Sequence, residues 1–223
     1  GEWRRFFLGL DENFYEIQPC QIMPEEVFKA SGHLESFIDP IVRCKKCQAV
    51  ERADHAISDE VEGEFEGVSL EKMSELIRKH GLRCRQCGGE YAEVGILNMM
   101  FPLEIGTGKA KRTGYLSPET AQGPYVNFKY EFEALRRRLP LGLAVIGRAF
   151  RNEISPRNVL IRQREFTQAE LQIFFDPDSI KEHPRFGEVA DYRLRLYPEK
   201  SRKTGKVVEV SCSEAVRKLG LPR

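Results

Sequence analysis

The stretch AFRNEISPRNVLIRQREFTQAE, residues 149–170, decides how the chain is expected to fold. Apolar residues precede it at 141–146 and follow it at 171–175, and each flank has the length and composition of a β-strand. Its middle contains Pro156 and Asn158 and is typical of a connecting loop. The pattern therefore predicts a β-hairpin.

The two strands of this hairpin carry polar side chains in positions that share a face. Because strand side chains alternate between faces, Arg151 and Glu153 are expected on the same side. One face of the returning strand combines a cation, a ring, an amide and a carboxylate: Arg164, Phe166, Gln168 and Glu170. A protein core does not accept such a set unpaired, so we interpret it as a ligand site. The alternative is a row of surface ion pairs, which would contribute little to stability.

The overall composition is ordinary for a soluble globular protein. The chain has 223 residues, of which 41% are hydrophobic and 31% charged, and its formal net charge is +1. No apolar run approaches the roughly 18–20 residues of a transmembrane helix, and the amino terminus lacks a signal-peptide pattern. The length indicates one large domain or one domain with an insertion. The charge balance gives no global attraction toward nucleic acid or membrane.

The cysteines include two CxxC pairs with metal-ligand spacing: Cys44, Cys47, Cys84 and Cys87. Two such turns bring four thiolates into a tetrahedron, the geometry that structural zinc prefers. We predict a structural Zn²⁺ site, since four cysteines leave no open position for catalysis. His33 and His55 are interpreted as structural or substrate-side residues. Two disulfides in a secreted protein are the alternative, although nothing else in the chain indicates secretion.

Local patterns predict several other elements. A helix capped by Ser69 is expected within the cysteine-bearing segment, and an apolar strand over residues 95–101. A second helix is expected to start near Thr120, with Ser117 or Thr120 as its cap. A last short helix is assigned Ser213 as its cap.

Several segments together resemble a known family. SPETAQGPYVNF at 117–128, GRAFRNEISPRN at 147–158 and REFTQAELQIFFDP at 164–177 are similar to the archaeal and eukaryotic glycyl-tRNA synthetases, which are class II aminoacyl-tRNA synthetases. The upstream segments at 23–40 and 51–59 extend the resemblance, and the CxxC pairs fit archaeal members. The resemblance implies an α+β fold in which an antiparallel sheet is flanked by helices, with a small zinc-binding insertion.

The resemblance also implies an ATP site on the hairpin. Arg151 is expected to contact the α-phosphate of ATP and the glycine carboxylate, because a guanidinium fork suits both. Phe166 is expected to stack on adenine, and Glu153 to accept from the adenine amino group. Mg²⁺ is expected to accompany ATP. Arg157 and Arg162 are expected to approach ATP or the acceptor end of tRNA. Arg164 is a further candidate for contact with ATP.

Glycine has no side chain to grip, so the family must select it through its amino group and through a crowded pocket. Glu119 and Glu170 resemble the two carboxylates that take the glycine ammonium, and Gln168 is expected to orient one of them. By resemblance, the activated glycine is transferred to tRNA(Gly). No side-chain nucleophile is needed, because activation rests on positioning and charge stabilisation.

Three departures from the family pattern accompany the resemblance. The Gly-rich motif 3 and the anticodon-binding domain are not found in the sequence, so residues 1–223 are predicted to form a truncated catalytic core. Residues 42–93 are predicted to be the zinc-binding insertion within it. Ser117 stands where the family usually has an arginine, which removes a cation beside the substrate.

Two other functions remain open from the sequence. One is a non-catalytic, synthetase-like binding or accessory protein, which Ser117 favours and the intact set of charged residues opposes. The other treats the zinc segment as a nucleic-acid-binding module, which the acidic residues at 58–66 oppose. The expected setting is the cytoplasm, away from any membrane, and the resemblance implies a homodimer for full-length family members.

Overall fold

The computed structural model describes residues 1–65, 67–154, 161–179, 183, 185–202 and 204–219. Arg157, one of the predicted loop arginines, lies outside these residues. Within the described part of the chain, no helix has the length and apolar character to cross a bilayer. The helices are α1 (Glu2–Leu8), α2 (Glu25–Ala30), α3 (His33–Ser36), α4 (Ala53–Ser58), α5 (Leu70–Lys79), α6 (Gln122–Ala134), α7 (Phe186–Val189) and α8 (Cys212–Leu219).

The strands form small sheets connected by these helices. They are β1 (Phe14–Glu16), β2 (Ile22–Pro24), β3 (Ile38–Arg43), β4 (Val50–Arg52), β5 (Gly95–Asn98), β6 (Phe101–Ile105), β7 (Arg112–Leu116), β8 (Leu141–Phe150), β9 (Glu165–Phe174), β10 (Arg193–Leu196) and β11 (Val208–Ser211). The strand orders are β1-β8-β9, β2-β7-β6, β4-β3-β5 and β10-β11. The predicted α+β class with antiparallel sheets is confirmed, with one parallel pair, β1 and β8.

The chain divides into two compact units. The first contains residues 1–137 and 142–172, and it includes every described residue of the predicted site. The second contains residues 138–141 and 173–223, with the β10-β11 hairpin and α8. Glu214 in α8 accepts from the backbone N–H of Ser211, and Ser211 Oγ accepts from the N–H of Glu214. This reciprocal pair is a capping box, so the cap is Ser211 and the assignment of Ser213 was wrong.

The first half of strand β8 is deeply buried. Leu143, Ala144 and Val145 are almost completely buried, and burial on both faces explains why this strand reads as a continuous apolar run. Its neighbour β1 pairs with it in parallel, with Phe14 opposite Gly142. A Cβ atom at Gly142 would lie 2.4 Å from Cδ1 of Phe14, so the strand approaches the ring closely only because this residue is glycine.

The predicted hairpin is present as β8 and β9. The N–H of Arg151 donates to the carbonyl of Arg164, and Arg148 Nη1 donates to Thr167 Oγ1. Residues 151 and 148 thus face residues 164 and 167, respectively, so the two strands run antiparallel. The β8 strand ends at Phe150, so Arg151 and Glu153 follow the strand rather than lie within it.

The cysteine-bearing segment has its own buried cluster. Ser69 caps α5 as predicted, because its side chain accepts from the N–H of Lys72. The cluster joins β3, α4, α5 and both CxxC turns through Val42, Cys44, Ala53, Ala56, Ile57, Met73, Ile77, Cys84 and Tyr91.

The single strand predicted over residues 95–101 is wrong. The structure contains β5 and β6 there, and they belong to different sheets. Asn98 turns the chain between them, because its Oδ1 accepts from the N–H of Met100 and its Nδ2 donates to the carbonyl of Leu34. An apolar pattern contains no information about such a side-chain turn.

The predicted cap of α6 is also wrong. The helix starts at Gln122 and no side chain caps it. The Thr120 hydroxyl donates to Glu170, and the Ser117 hydroxyl donates to the carbonyl of Gln21. Both hydroxyls therefore serve tertiary contacts instead of the helix end.

We expect Gly142→Ala to lower the free energy of unfolding by roughly 1–3 kcal/mol, because the new methyl group would overlap Phe14. Urea unfolding of the variant and the parent measures this. Gly187→Ala is the matched control, since nothing lies within 4 Å of its Cβ position. Equal midpoints for Gly142→Ala and the parent would show that β1 does not pack on β8 as described.

Candidate active site

Strand β9 places the predicted polar residues on one face. Its burial alternates along the first six residues, and Phe166, Gln168 and Glu170 are the half-buried ones. Arg164 precedes the strand and donates from Nε to the carbonyl of Glu153, at 3.1 Å. The face predicted from the alternation therefore points into the first unit, whose other segments supply its partners.

Arg151 lies between two aromatic rings. Its guanidinium carbon is 5.4 Å from the centroid of Phe37 and 5.2 Å from that of Phe166, both within the range of a cation–π contact. Its Nε donates to the carbonyl of Pro118 at 3.2 Å. This bond fixes Arg151 against Pro118, the residue that precedes Glu119 in the sequence.

A cleft of about 440 Å³ opens beside Arg151. Its lining combines cations, one carboxylate and apolar contacts: Arg52, Met99, Arg151, Glu153, Ile161, Arg162, Gln163 and Phe166. Glu153 is mostly buried, and its Oε2 lies 4.0 Å from Nε of the more exposed Arg162. Arg52 is paired with two aspartates and Arg162 faces Glu153, whereas Arg151 has no carboxylate partner among the described residues, so its guanidinium is available to an anionic ligand.

Arg52 connects this cleft to the cysteine-bearing segment. Its Nη1 lies 2.9 Å from Oδ1 of Asp39, while its Nε and Nη2 donate to the two oxygens of Asp54, at 3.0 and 2.7 Å. Burial raises the pKa of Asp54, but the hydrogen bonds and charge of Arg52, together with the hydrogen bond from the backbone N–H of His55, outweigh burial and hold this pKa below its usual value. One guanidinium therefore ties β3, β4 and α4 together at the floor of the cleft.

Glu119 lies in a group of polar side chains next to Arg151. Its Oε1 accepts from Nε2 of Gln122 at 2.9 Å and lies 3.1 Å from Nε2 of His33. Among the residues that the structure describes, Oε2 of Glu119 has no hydrogen-bond partner. One oxygen of this carboxylate is thus held by the protein and the other is available to a ligand.

Glu170 and Gln168 bind the chain segment that follows Glu119. Glu170 Oε2 accepts from Thr120 Oγ1 at 2.7 Å, and its Oε1 accepts from Gln172. Gln168 Oε1 accepts from the N–H of Thr120 at 3.0 Å. These two side chains bring β9 to Thr120, so the structure gathers Glu119, Glu170 and Gln168 in one region.

Ser117 is buried, with only 2% of its surface exposed. Its backbone N–H and its hydroxyl both donate to the carbonyl of Gln21, at 2.9 and 3.1 Å. Ser117 therefore holds the end of β7 against the segment that precedes β2. It does not present a group to the cleft.

Several residues at the site were not singled out as ligand-site residues from the sequence. They are Phe37, Arg52, Thr120 and Gln172. His33 was interpreted only as structural or substrate-side, and the structure places it on Glu119. Phe37 and His33 lie far in sequence from Arg151 and Glu119, which they contact, and no local pattern connects them. Gln172 lies two residues beyond Glu170, so the alternation along β9 could have located it.

The cysteine prediction is confirmed as a cluster. The Sγ atoms of Cys44, Cys47, Cys84 and Cys87 lie within 4.8 Å of one another. Two cross-turn distances are 3.5 Å, between Cys44 and Cys87, and 3.7 Å, between Cys47 and Cys84. Tetrahedral zinc with Zn–S bonds of about 2.3 Å requires S···S distances of about 3.8 Å. The donor set therefore fits zinc, and His55 and His33 are not part of it.

Backbone N–H groups around the cluster stabilise the thiolate form of Cys44. The N–H groups of Cys47 and Lys46 donate to Cys44 Sγ and lower the pKa of this thiol to about 6, against the opposing effect of burial. Gly88 has a φ of +68°. A Cβ at Gly89 would lie 2.9 Å from Cys44 Sγ, so this position requires glycine.

Comparison with known proteins gives one family and a group of relatives. Residues 106–193 match the family described as "tRNA synthetase class II core domain (G, H, P, S and T)". The chain is 52% identical over 208 residues to "Glycine--tRNA ligase" of Pyrococcus furiosus, covering 93% of this chain and 36% of the relative. It is 48% identical over 216 residues to the protein of the same name from Methanothrix thermoacetophila, covering 97% and 37%. The chain thus spans little more than a third of the length of these relatives.

We expect Arg52→Met to cost on the order of 3 kcal/mol of unfolding free energy at pH 7, because it leaves buried carboxylates without their cation. Since the folded-state pKa of Asp54 is lowered, this contribution is present above about pH 4 and is lost as the pH falls through the folded pKa. The difference between variant and parent should therefore shrink below about pH 4.

Urea unfolding at pH 7 and at pH 3 measures both effects. Arg112→Met is the control, because Arg112 is exposed on β7. A difference that is independent of pH would contradict the role assigned to the Arg52–Asp54 pair.

Proposed function

This chain belongs to the class II aminoacyl-tRNA synthetases as a segment related to archaeal glycine-tRNA ligases, and on this basis we propose that it is the part of a glycine-tRNA ligase that binds ATP and glycine and joins them as glycyl-adenylate. The observation that supports this most directly is the position of Arg151. It lines the arginine-rich cleft and at the same time donates to Pro118, beside Glu119. A single guanidinium therefore borders both proposed substrate sites.

ATP is assigned to the cleft of about 440 Å³. Arg151 covers one face of Phe166, which leaves the opposite face of the ring for adenine. Glu153 would accept from the adenine amino group, while Arg162 and Arg164 would contact the phosphates. Mg²⁺ would arrive with ATP and share the neutralisation of phosphate charge with the arginines.

Glycine is assigned to the region of Glu119 and Glu170. Glu119 Oε2 has no partner among the described residues, so it is the carboxylate oxygen most ready to accept from an ammonium. Both oxygens of Glu170 already accept a hydrogen bond from the protein, although each carboxylate oxygen has a second lone pair. Gln168 holds the backbone of Thr120 and so fixes the loop that carries Glu119.

The chemical step would join these two sites at Arg151. An oxygen of the glycine carboxylate attacks the α-phosphorus, the new O–P bond forms, and the bond to the bridging oxygen breaks to release pyrophosphate. Negative charge gathers on the α-phosphate oxygens, where the guanidinium of Arg151 would stabilise it. Packing between Phe37 and Phe166 fixes that guanidinium before the substrates bind, so little reorganisation is needed.

The remaining partners follow from the same proposal. The adenylate would be transferred to the acceptor end of tRNA(Gly), in protein biosynthesis in the cytoplasm. We propose that the whole protein is a homodimer, as the family resemblance implies. Residues 42–93 are proposed as a zinc-binding insertion within a catalytic core that occupies residues 1–223, and the zinc is assigned a structural role, because four thiolates close its coordination.

A second function is favoured by one observation. Ser117 is buried against Gln21 and supplies no cation where the family usually has an arginine. A non-catalytic binding or accessory protein with this fold would tolerate that loss. The two proposals differ in whether bound ATP is converted to adenylate.

We expect Arg151→Ala to abolish glycine-dependent ATP–pyrophosphate exchange, with a loss of at least about 100-fold, because it removes the charge at the α-phosphate. Arg148→Ala is the matched control: Arg148 is exposed on β8, and its ionic and hydrogen-bond partners among the described residues are Thr167 and Glu165. Calorimetric titration with ATP and with glycine should accompany the exchange assay. Binding of both ligands without exchange in the parent chain supports the accessory function, and absence of binding refutes both site assignments.

We expect one zinc ion per chain, measured by elemental analysis, and its loss in Cys47→Ser but not in the control Cys20→Ser, whose side chain is exposed. Chelation should remove hydrogen-exchange protection from residues 42–93 and leave β8 and β9 protected, because the cysteines hold the turns of that segment together. Full protection of residues 42–93 without zinc would show that the metal has no structural role.

A further inference from the structure

The Glu119 carboxylate is held asymmetrically. Its Oε1 accepts from Gln122 and is within 3.1 Å of His33 Nε2, whereas Oε2 has no partner among the described residues. Gln122 is itself 5% exposed, and its own Oε1 is a buried acceptor without a described partner. Two acceptor atoms that lack donors, one from each residue, therefore belong to side chains in direct contact.

His33 is fixed by its surroundings as well as by Glu119. Its side chain is 16% exposed, and its ring lies at 6.2 Å from Phe28 and 5.6 Å from Phe37, between centroids. Its Nδ1 is 2.8 Å from the hydroxyl of Ser31. The ring therefore has a partner on each nitrogen and aromatic neighbours at its sides, which allows it little rotation.

The contacts of the ring favour one position for its proton. Nε2 of His33 lies 3.1 Å from a carboxylate oxygen, and an ionised carboxylate only accepts hydrogen bonds, so a proton on Nε2 avoids repulsion between two lone pairs. In the neutral ring Nδ1 is then an acceptor, and the Ser31 hydroxyl donates to it. Ser31, which lies just after α2, thus orients His33, and His33 in turn orients Glu119 at the proposed glycine site.

We propose that His33 is a positioning residue for amino-acid recognition: with Gln122 it occupies Oε1 of Glu119 and so directs Oε2 toward the ammonium group of the substrate. This inference rests on the proposed function, because it assigns the ligand of Glu119 as the glycine ammonium. An ammonium has three donors, and Glu119 Oε2 and Gln122 Oε1 are acceptors that such a group would satisfy. His33 does not touch the ATP cleft, whose lining residues do not include it.

The test compares His33→Leu, which removes the donor, with His33→Gln, which retains a side-chain N–H. His80→Leu is the control, since His80 is exposed at the end of α5. The KM values for glycine and for ATP and the kcat are measured by ATP–pyrophosphate exchange, and glycine binding by calorimetry. We expect His33→Leu to raise the glycine KM and the glycine dissociation constant at least about tenfold, with the ATP KM unchanged and partial recovery in His33→Gln.

A second measurement does not depend on enzymatic activity. The chain has four histidines, so the ring nitrogens can be assigned in ¹⁵N spectra by comparing single variants. We expect the Nε2–H tautomer for His33, and a change in its ring shifts in Glu119→Gln but not in Glu104→Gln, an exposed carboxylate on β6.

The outcomes separate the inference from the proposed function. Equal glycine affinity in His33→Leu and in a glycine-binding parent would overturn the positioning role and leave the proposed function intact. A parent that binds no glycine would overturn both, even where the spectra still show the His33–Glu119 contact. A parallel rise of the glycine and ATP KM values would indicate general damage to the fold and also contradict the inference.

Discussion

The stacking of Arg151 between Phe37 and Phe166 is the interaction on which the arrangement of the site depends. Phe37 lies far in sequence from the hairpin that carries Arg151 and Phe166, and the bond from Arg151 to Pro118 adds a third part of the chain. A guanidinium suits this position because its planar faces contact rings while its edge donates hydrogen bonds. An ammonium would provide charge but neither the flat contact surface nor a fixed direction. The site is therefore assembled around a cation, and the carboxylates are arranged relative to it.

The site separates charge of opposite sign over a short distance. Arginines dominate the cleft assigned to ATP, whereas Glu119 and Glu170 dominate the region assigned to glycine. An amino acid is a zwitterion, so its carboxylate is attracted to one side and its ammonium to the other. This polarity would orient glycine with its nucleophilic end toward the α-phosphate without any contact to a side chain. Under the proposed function, selectivity for the smallest amino acid would rest on the space between the two groups.

The sequence predicted which residues belong to the site better than it predicted the hydrogen bonds between them. The alternation along β9 located Phe166, Gln168 and Glu170 on one face, and the CxxC spacing located the thiol cluster, because both patterns are local. The hydroxyl of Thr120 was assigned to a helix cap because a cap is its commonest local use, yet it contacts Glu170. Tertiary hydrogen bonds of this kind depend on segments that meet only in the folded chain. The turn at Asn98 was missed for a related reason, since a polar side chain there interrupts an otherwise continuous apolar run.

The pairing of Phe14 with Gly142 has a consequence for the order in which the chain folds. The central sheet joins β1 to a strand that lies beyond the whole cysteine-bearing segment, so its formation requires closure of a very long loop. The cysteine-bearing segment, by contrast, contains its own buried cluster between residues 42 and 91. During synthesis that segment leaves the ribosome complete well before β8, and we expect it to fold first. It would then shorten the effective loop that β1 and β8 must close, so that the cysteine-bearing segment assists the assembly of the β1-β8-β9 sheet.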